Sequence, residues 1–206
     1  MPRPKGSANT DFAQKKQELL DRLRQTLLGK SPPSSYRALA SAANVTIPTL
    51  RHYFGDREDV LAAVFADCHL GGRKELELAA TPSGPFAKSI HDFVQHVIGG
   101  FQYGGLRELH TVGLLEGLGS GPVARSYLAE VLEPTLNACK QRLEVHIARG
   151  EMKDTDARHA AITLISPLLI VFLHQNALGG SKEYPMDIAA FARNHIDAFV
   201  TAYRKA

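Results

Sequence analysis

Apolar residues recur at three- and four-residue spacing along most of this chain, and no stretch shows the period-two alternation of a half-buried strand. From Asp11 to Leu28, Phe12, Leu19, Leu20, Leu23, Leu27 and Leu28 fall at helical spacing, and Gly29 stops the run. Ser31-Pro-Pro-Ser34 then makes a stiff connection. Two short helices follow. Ser35 is placed to cap the first, whose small apolar face is Leu39, Ala40 and Ala43. Asn44 suits the left-handed residue that turns the chain. Thr46 is placed to cap the second helix, with Pro48 in its first turn, where a missing N–H costs little. Leu50 and Phe54 point inward at i, i+4, leaving Pro48, Thr49, Arg51 and His52 outside. After Gly55, Asp56 reads as a new cap with Glu58 and Asp59 in its first turn. That helix carries Val60, Leu61, Val64 and Phe65 towards Gly71-Gly72, with Ala80 as its outer limit.

The later segments keep the same period. Phe86 to Phe101 carries Ile90, Phe93, Val94, Val97 and Ile98, loosened by Gly99-Gly100 and Gly104-Gly105. A short segment spans Leu106 to Leu118, and a long one runs from Pro122 to Arg149 with a kink expected near Pro134. Ala157–Leu178 and Asp187–Tyr203 complete the set, separated by an expected loop from Gly179 to Pro185. The fold class expected is therefore all-α. Its organisation is a flexible basic arm at 1–9, a three-helix helix-turn-helix domain at 10–55 and a larger helical domain at 56–206.

The pair of short helices has the layout of a helix-turn-helix, whose second helix enters the DNA major groove. Its residues Asn44-Val-Thr-Ile-Pro-Thr-Leu-Arg-His-Tyr-Phe54 resemble the Gly-Val-Ser-x-x-Thr-Leu-Tyr-x-His-Phe run of tetracycline-repressor-like (TetR family) regulators. Leu39-Ala40 is similar to that family's Ile-Ala, and Arg57-Glu-Asp-Val-Leu61 to its Lys-x-x-Leu-Leu. The resemblance covers roughly residues 10 to 65. Two positions depart from it: Asn44 stands at the turn glycine, and Arg51 at the usual Tyr. The resemblance implies a sequence-specific transcription regulator, most often a repressor released by a small-molecule effector in the C-terminal domain. A palindromic double-stranded operator and a homodimer through the last two helices belong to the same picture. Residues 160–172 are apolar round most of their helix, which independently calls for burial on more than one side. Closing the core of a monomer is the alternative. The competing function is a DNA-binding nucleoid-associated or protein-interaction module without a small-molecule switch.

Charge sharpens the picture. Residues 1–55 hold nine Lys and Arg against three Asp and Glu, while the rest of the chain carries a net charge of −3. A basic excess on the helix-turn-helix segment fits a polyanion. Ser35, Tyr36, Arg37, Tyr53 and Arg57 are candidates for phosphate contacts, with Arg3 and Lys5 on the arm as further cations. Thr46, Ile47, Pro48, Thr49, Arg51 and His52 are candidates for the base-facing side. Arg51 suits guanine O6 and N7, or a phosphate through the same fork; Thr49 suits a base edge, and Ile47 and Pro48 a thymine methyl.

Polar residues on otherwise apolar helices are the candidates for a ligand cavity: His91, His96, His110, Glu116, His174, Gln175 and Asn176. His91 and His96 are five apart, so they do not stack as i, i+4 metal ligands, and no metal or cofactor is expected. No G-x-S-x-G, P-loop, H-E-x-x-H or dinucleotide fingerprint supports an enzyme. The 206 residues are 44% hydrophobic and 22% charged, as in an ordinary soluble chain. No uninterrupted run nears the ~20 apolar residues of a membrane span, and the start lacks the apolar core of a secretory signal. Cys68 and Cys139 then read as reduced thiols of a cytoplasmic protein, a redox pair requiring that they lie close in space.

Overall fold

A computed structural model of the chain describes residues 7–29 and 31–205. Its helices are α1 (Ser7–Leu27), α2 (Tyr36–Ala42), α3 (Ile47–Phe54), α4 (Arg57–Ala80), α5 (Phe86–Tyr103), α6 (Leu106–Gly117), α7 (Gly121–Tyr127), α8 (Glu133–Ala148), α9 (Ala157–Phe172), α10 (Gly180–Glu183) and α11 (Ile188–Tyr203). Among the described residues the one β-type pairing is an isolated bridge between Met152 and Arg204. The chain is all-α, a three-helix helix-turn-helix unit followed by a larger helical body.

Helix starts follow the local chemistry of the sequence. Ser35, Thr46, Asp56, Asp156 and Asp187 each accept a backbone N–H from the first turn of the helix they precede. At α4 the capping is reciprocal: Asp56 accepts from the Asp59 N–H at 3.0 Å, and Asp59 accepts from the Asp56 N–H at 2.9 Å. The kink expected near Pro134 is a π turn, Leu128–Leu132, joining α7 to α8. A proline cannot donate to the carbonyl four residues back, and the ladder widens just before it, the Glu133 N–H reaching Leu128 O. A second π turn, Leu173–Ala177, extends α9.

Four expectations are corrected. The helix α1 begins at Ser7, inside the segment read as an arm; Arg3 and Lys5 lie outside the described residues. Gly99-Gly100 does not loosen the end of α5, because Val97, Ile98 and Phe101 are buried on either side and hold the helix through the pair, whereas α4 runs through Gly71-Gly72 to Ala80, its expected outer limit. The expected loop at 179–185 contains the single turn α10. Finally, the helical stretch Ala157–Ala177 is 21 residues long with a mean hydropathy of 1.5, enough by length and composition to cross a membrane. Counting uninterrupted apolar residues missed it, because Arg158, Thr163 and Ser166 punctuate the stretch. Here Ala160, Ala161, Leu164 and Leu168 are packed into the protein core.

Two hydrophobic cores result. The first gathers Leu23, Leu27, Leu39, Leu50, Val60, Val64 and Phe65 and reaches Leu109, Val112, Val123 and Tyr127 of α6 and α7. The second lies among α5, α8, α9 and α11, around Ile90, Phe93, Leu143, Leu164 and Phe199. Helix α4 gives its N-terminal half to the first core and Ala79 to the second. Both ends of α4 are clamped. Near its start, Arg57 pairs with Glu116 of α6 at 2.7 Å, and Glu58 accepts a short hydrogen bond from Ser120. At its end the buried guanidinium of Arg142 donates to the Ala79 and Leu78 carbonyls at 2.6 and 2.8 Å and to Ser89 Oγ at 2.7 Å. A cation on the free carbonyls of a helix C-terminus satisfies both their hydrogen-bonding capacity and the helix dipole.

Candidate nucleic-acid interface and ligand cavity

The turn between α2 and α3 is made by Asn44 at φ 57°, left-handed as the sequence required. Thr46 caps α3 twice over, accepting from the Thr49 N–H at 3.3 Å and sharing a hydrogen bond with the Thr49 hydroxyl at 2.8 Å. Leu50 and Phe54 are buried, which fixes the rotation of α3 and turns Pro48, Arg51 and His52 to solvent. Thr49 and Tyr53 are half-buried on the flanks, and Ile47 packs partly against the first core. The Arg51 guanidinium lies 5.9 Å from the Tyr36 ring centroid, a cation–π contact that supports the side chain without neutralising it. Burial pushes the Tyr36 phenol up, opposed by the charge of Arg51 beside it.

Two phosphate candidates have other work. The Tyr36 hydroxyl donates to the Gly55 carbonyl at 2.7 Å, tying α2 to the end of α3. Arg57 is held by Glu116 and by the Pro33 and Ser34 carbonyls, at 3.1 and 3.4 Å, so it braces the connection before α2. Ser35 and Arg37 remain exposed at the start of α2. Arg37, Asn44, Thr46 and Ile47 line a shallow groove beside the turn, about 440 Å³ in volume. Sequence reading missed the part played by Phe12. Its ring stacks on Tyr53 at 4.7 Å and meets His52 edge-on at 5.6 Å, so the N-terminal half of α1 lies against the end of α3. At helical spacing Phe12 looked like core; it is 38% exposed. Exposed Lys15 and half-buried Lys16, whose ammonium is 5.4 Å from the Phe54 ring centroid, add charge on that side.

Behind this unit opens a cavity of about 910 Å³. Its walls come from α1, α4, α5, the α5–α6 turn, α6, the π turn before α8 and the start of α8. Of the seven ligand candidates only His96 lines it. His91 sits on the exposed side of α5. His110 is buried beside the cavity, its Nδ1 2.8 Å from Tyr127 Oη and its ring stacked on Phe101 at 5.3 Å. Burial pushes the His110 imidazole down to about 4 and the Tyr127 phenol up to about 12. Glu116 is the partner of Arg57. Gln175 ties the second π turn to the segment after α10, donating to the Tyr184 carbonyl and accepting from the Met186 N–H, His174 lies 2.7 Å from the Gln175 amide, and Asn176 donates to the Phe172 carbonyl.

The polar groups that do line the cavity are largely ones the sequence did not single out: Cys68, His69, Glu75, Tyr103, Glu130 and Thr135. His69 Nδ1 is 2.8 Å from Glu130 Oε2, and His96 Nε2 is 3.6 Å from Glu75 Oε2. Burial raises the Cys68 thiol to about 11, which disfavours the reactive thiolate. The signal for the cavity was present as glycine. Gly71, Gly72 and Gly99 have no atom within 4 Å of where a Cβ would stand, so they leave open space rather than permit close packing. No cluster of three metal-ligating side chains occurs among the described residues.

No protein-family model matches the chain, and no curated protein does. Solved structures that it resembles include transcriptional regulators. One, assigned to the TetR family and from Mesorhizobium loti MAFF303099, has a TM-score of 0.74 at 16% identity, covering 94% of this chain and 98% of that one. SmeT, the repressor of the Stenotrophomonas maltophilia multidrug efflux pump SmeDEF, gives 0.61 at 19% identity over 92% and 90% of the two chains. The SmeT–triclosan complex gives 0.62 at 20% identity over 93% and 92%. The fold is that of the TetR-family transcriptional regulators, over nearly the whole length of the chain.

Proposed function

We propose that this chain is a TetR-type DNA-binding transcriptional regulator, a cytoplasmic repressor released when a small molecule occupies the cavity. The observation that carries the DNA reading is the solvent face of α3. A helix capped by Thr46 and anchored by Leu50 and Phe54 presents Arg51 and His52 outward, with Arg37, Lys15 and Lys16 nearby. Arg51 offers a bidentate donor to guanine, Thr49 a hydroxyl and Pro48 an apolar contact, while Ser35, Arg37 and Tyr53 serve phosphates. Support for a ligand switch comes from the cavity, which is lined by Arg24 and Gln25 of α1 and Leu28 just after it as well as by α4. An occupant therefore touches the helix-turn-helix unit itself. It can favour one arrangement of α1 against α4, where Arg24 and Asp67 pair at 2.7 Å, and so set the recognition helices apart. The triclosan complex of SmeT is consistent with small-molecule entry in this fold.

One recognition helix reads few base pairs, so the proposal includes a two-fold dimer through α9 and α11. Much of the apolar surface of these helices is used in the chain's own core, but Ile162 and Ile170 stay exposed on α9, at 38% and 63%. Selection of DNA by the purified protein from a random duplex pool tests the whole reading. The expected product is a palindrome whose half-sites are one helical turn apart, bound by a dimer in light scattering. Arg51→Ala is expected to weaken that site by about 1–3 kcal/mol. Recovery of no enriched sequence, at low salt and with a monomer in solution, would remove the proposal.

A further inference from the structure

The cavity carries a charge imbalance that specifies the chemistry of its occupant. Its fully charged lining residues are Arg24, Glu75 and Glu130. Arg24 is matched, since Asp67 lies 2.7 Å from its guanidinium. The two glutamates have no such match. Among the described residues, the ion-pair partners of Glu130 and Glu75 are the imidazoles of His69 and His96, and neither touches a Lys or Arg. His69 is within hydrogen-bond distance of Glu130 at 2.8 Å and His96 stands 3.6 Å from Glu75, beyond that distance, so neither carboxylate has a permanent cation beside it. Much of the rest of the wall is apolar or bare backbone, including Leu28, Phe93, Val97, Leu106, Leu109 and the glycines of α4 and α5. Side-chain-free helix surface leaves room for a broad, flat molecule.

We infer that the cavity binds an apolar organic cation, with Glu130 and Glu75 as its countercharges. This rests on the reading of the cavity as an effector site and names the class of effector. Glu130 is the stronger countercharge, because its side chain is 34% exposed against 66% for Glu75 and is correspondingly less screened. Glu130 also sits in the π turn between α7 and α8 and reaches His69 of α4 at 2.8 Å.

The test uses the full-length protein and three fluorescent probes of similar breadth: rhodamine 6G, a flat cation; Nile red, which is neutral; and fluorescein, an anion. Fluorescence anisotropy is expected to show rhodamine 6G binding at least tenfold tighter than fluorescein, about 1.4 kcal/mol. Glu130→Gln is expected to weaken rhodamine 6G about tenfold and Glu75→Gln less, with Nile red unaffected in both. Circular dichroism of the two variants should match the parent chain, as the substitution keeps side-chain size. Fluorescein or Nile red binding as tightly as rhodamine 6G overturns the cationic assignment while leaving a ligand cavity. So does a rhodamine affinity indifferent to both substitutions. Binding of none of the three overturns the inference and the effector reading with it, whereas the DNA reading is judged separately by the pool selection.

Discussion

The helix-turn-helix unit and the cavity behind it are built by different rules. In the unit, the start, turn and rotation of the recognition helix are set by neighbours three or four positions away. Thr46 caps Thr49, Asn44 turns the chain, and Leu50 and Phe54 set the rotation that exposes Arg51. In the cavity, the residues that meet come from positions as far apart as Arg24 and Thr135, and its defining feature is absent side chains. A binding surface on one short helix is a local problem. A binding volume between helices depends on how the whole body closes, and small changes there have larger consequences.

The largest consequence is expected at Gly113. A Cβ at this position would stand 2.2 Å from the Tyr127 ring, and Tyr127 is itself 4% exposed and cannot swing away. Gly113→Val should destabilise the protein by about 3 kcal/mol or more through overpacking of the α6–α7 contact. Urea denaturation followed by circular dichroism measures it. A loss below about 1 kcal/mol would mean that this part of the body is loosely packed, and the contrast with the head would fail.

The same contact makes the body sensitive to acid. His110 is buried neutral, with its pKa down to about 4 by burial, against about 6.5 in an unfolded chain. Between these values the unfolded state binds the proton and the folded state does not, so stability falls as pH is lowered through the window. The full loss from pH 7 to below 4 is about 3 kcal/mol for this group. Unfolding curves at pH 7 and pH 4.5 should show most of that loss in the parent chain and much less in His110→Gln. Equal slopes in the two proteins would assign the acid sensitivity elsewhere.

These two residues also mark what the sequence conceals. The all-helical layout, the caps and the exposed side of α3 were legible because periodicity and capping are local. Gly113 and Tyr127 are fourteen positions apart across a turn, and no spacing rule announces that one must be bare because of the other. Arg57 looked like a free cation at a helix start, yet its partner Glu116 lies 59 residues on. Glu116, in turn, looked like a polar group available to a ligand. Gln175 and Asn176 were polar residues on an apolar helix for a structural reason, the closing of a π turn, which leaves no pattern in composition. His96 was found; its neighbour in the cavity, Glu75, was hidden among the many charges on α4.

In the head, Thr46→Ala should cost about 1 kcal/mol by removing the cap of α3, the usual worth of such a hydroxyl. The Thr49 hydroxyl loses its 2.8 Å partner at the same time. The expected signature is local. Amide exchange should quicken over residues 47–50 while α5 and α8 keep their protection. Faster exchange throughout the body would show that the head and body are not separable in this way.

The smallest effect has the opposite sign. Gly71 and Gly72 sit inside α4 with no atom within 4 Å of an added Cβ, and neither has a positive φ. A helix interior disfavours glycine relative to alanine by roughly 1 kcal/mol, chiefly through the freedom glycine has when unfolded. Gly71→Ala and Gly72→Ala should therefore each stabilise the protein by about 0.5–1 kcal/mol, seen as a higher urea midpoint at unchanged slope. Both glycines line the cavity, so tighter folding should accompany weaker binding of a flat probe such as Nile red. That pairing distinguishes glycine kept for an open volume from glycine that is merely tolerated. Stabilisation without any loss of probe affinity would show that these two positions do not shape the space the ligand uses.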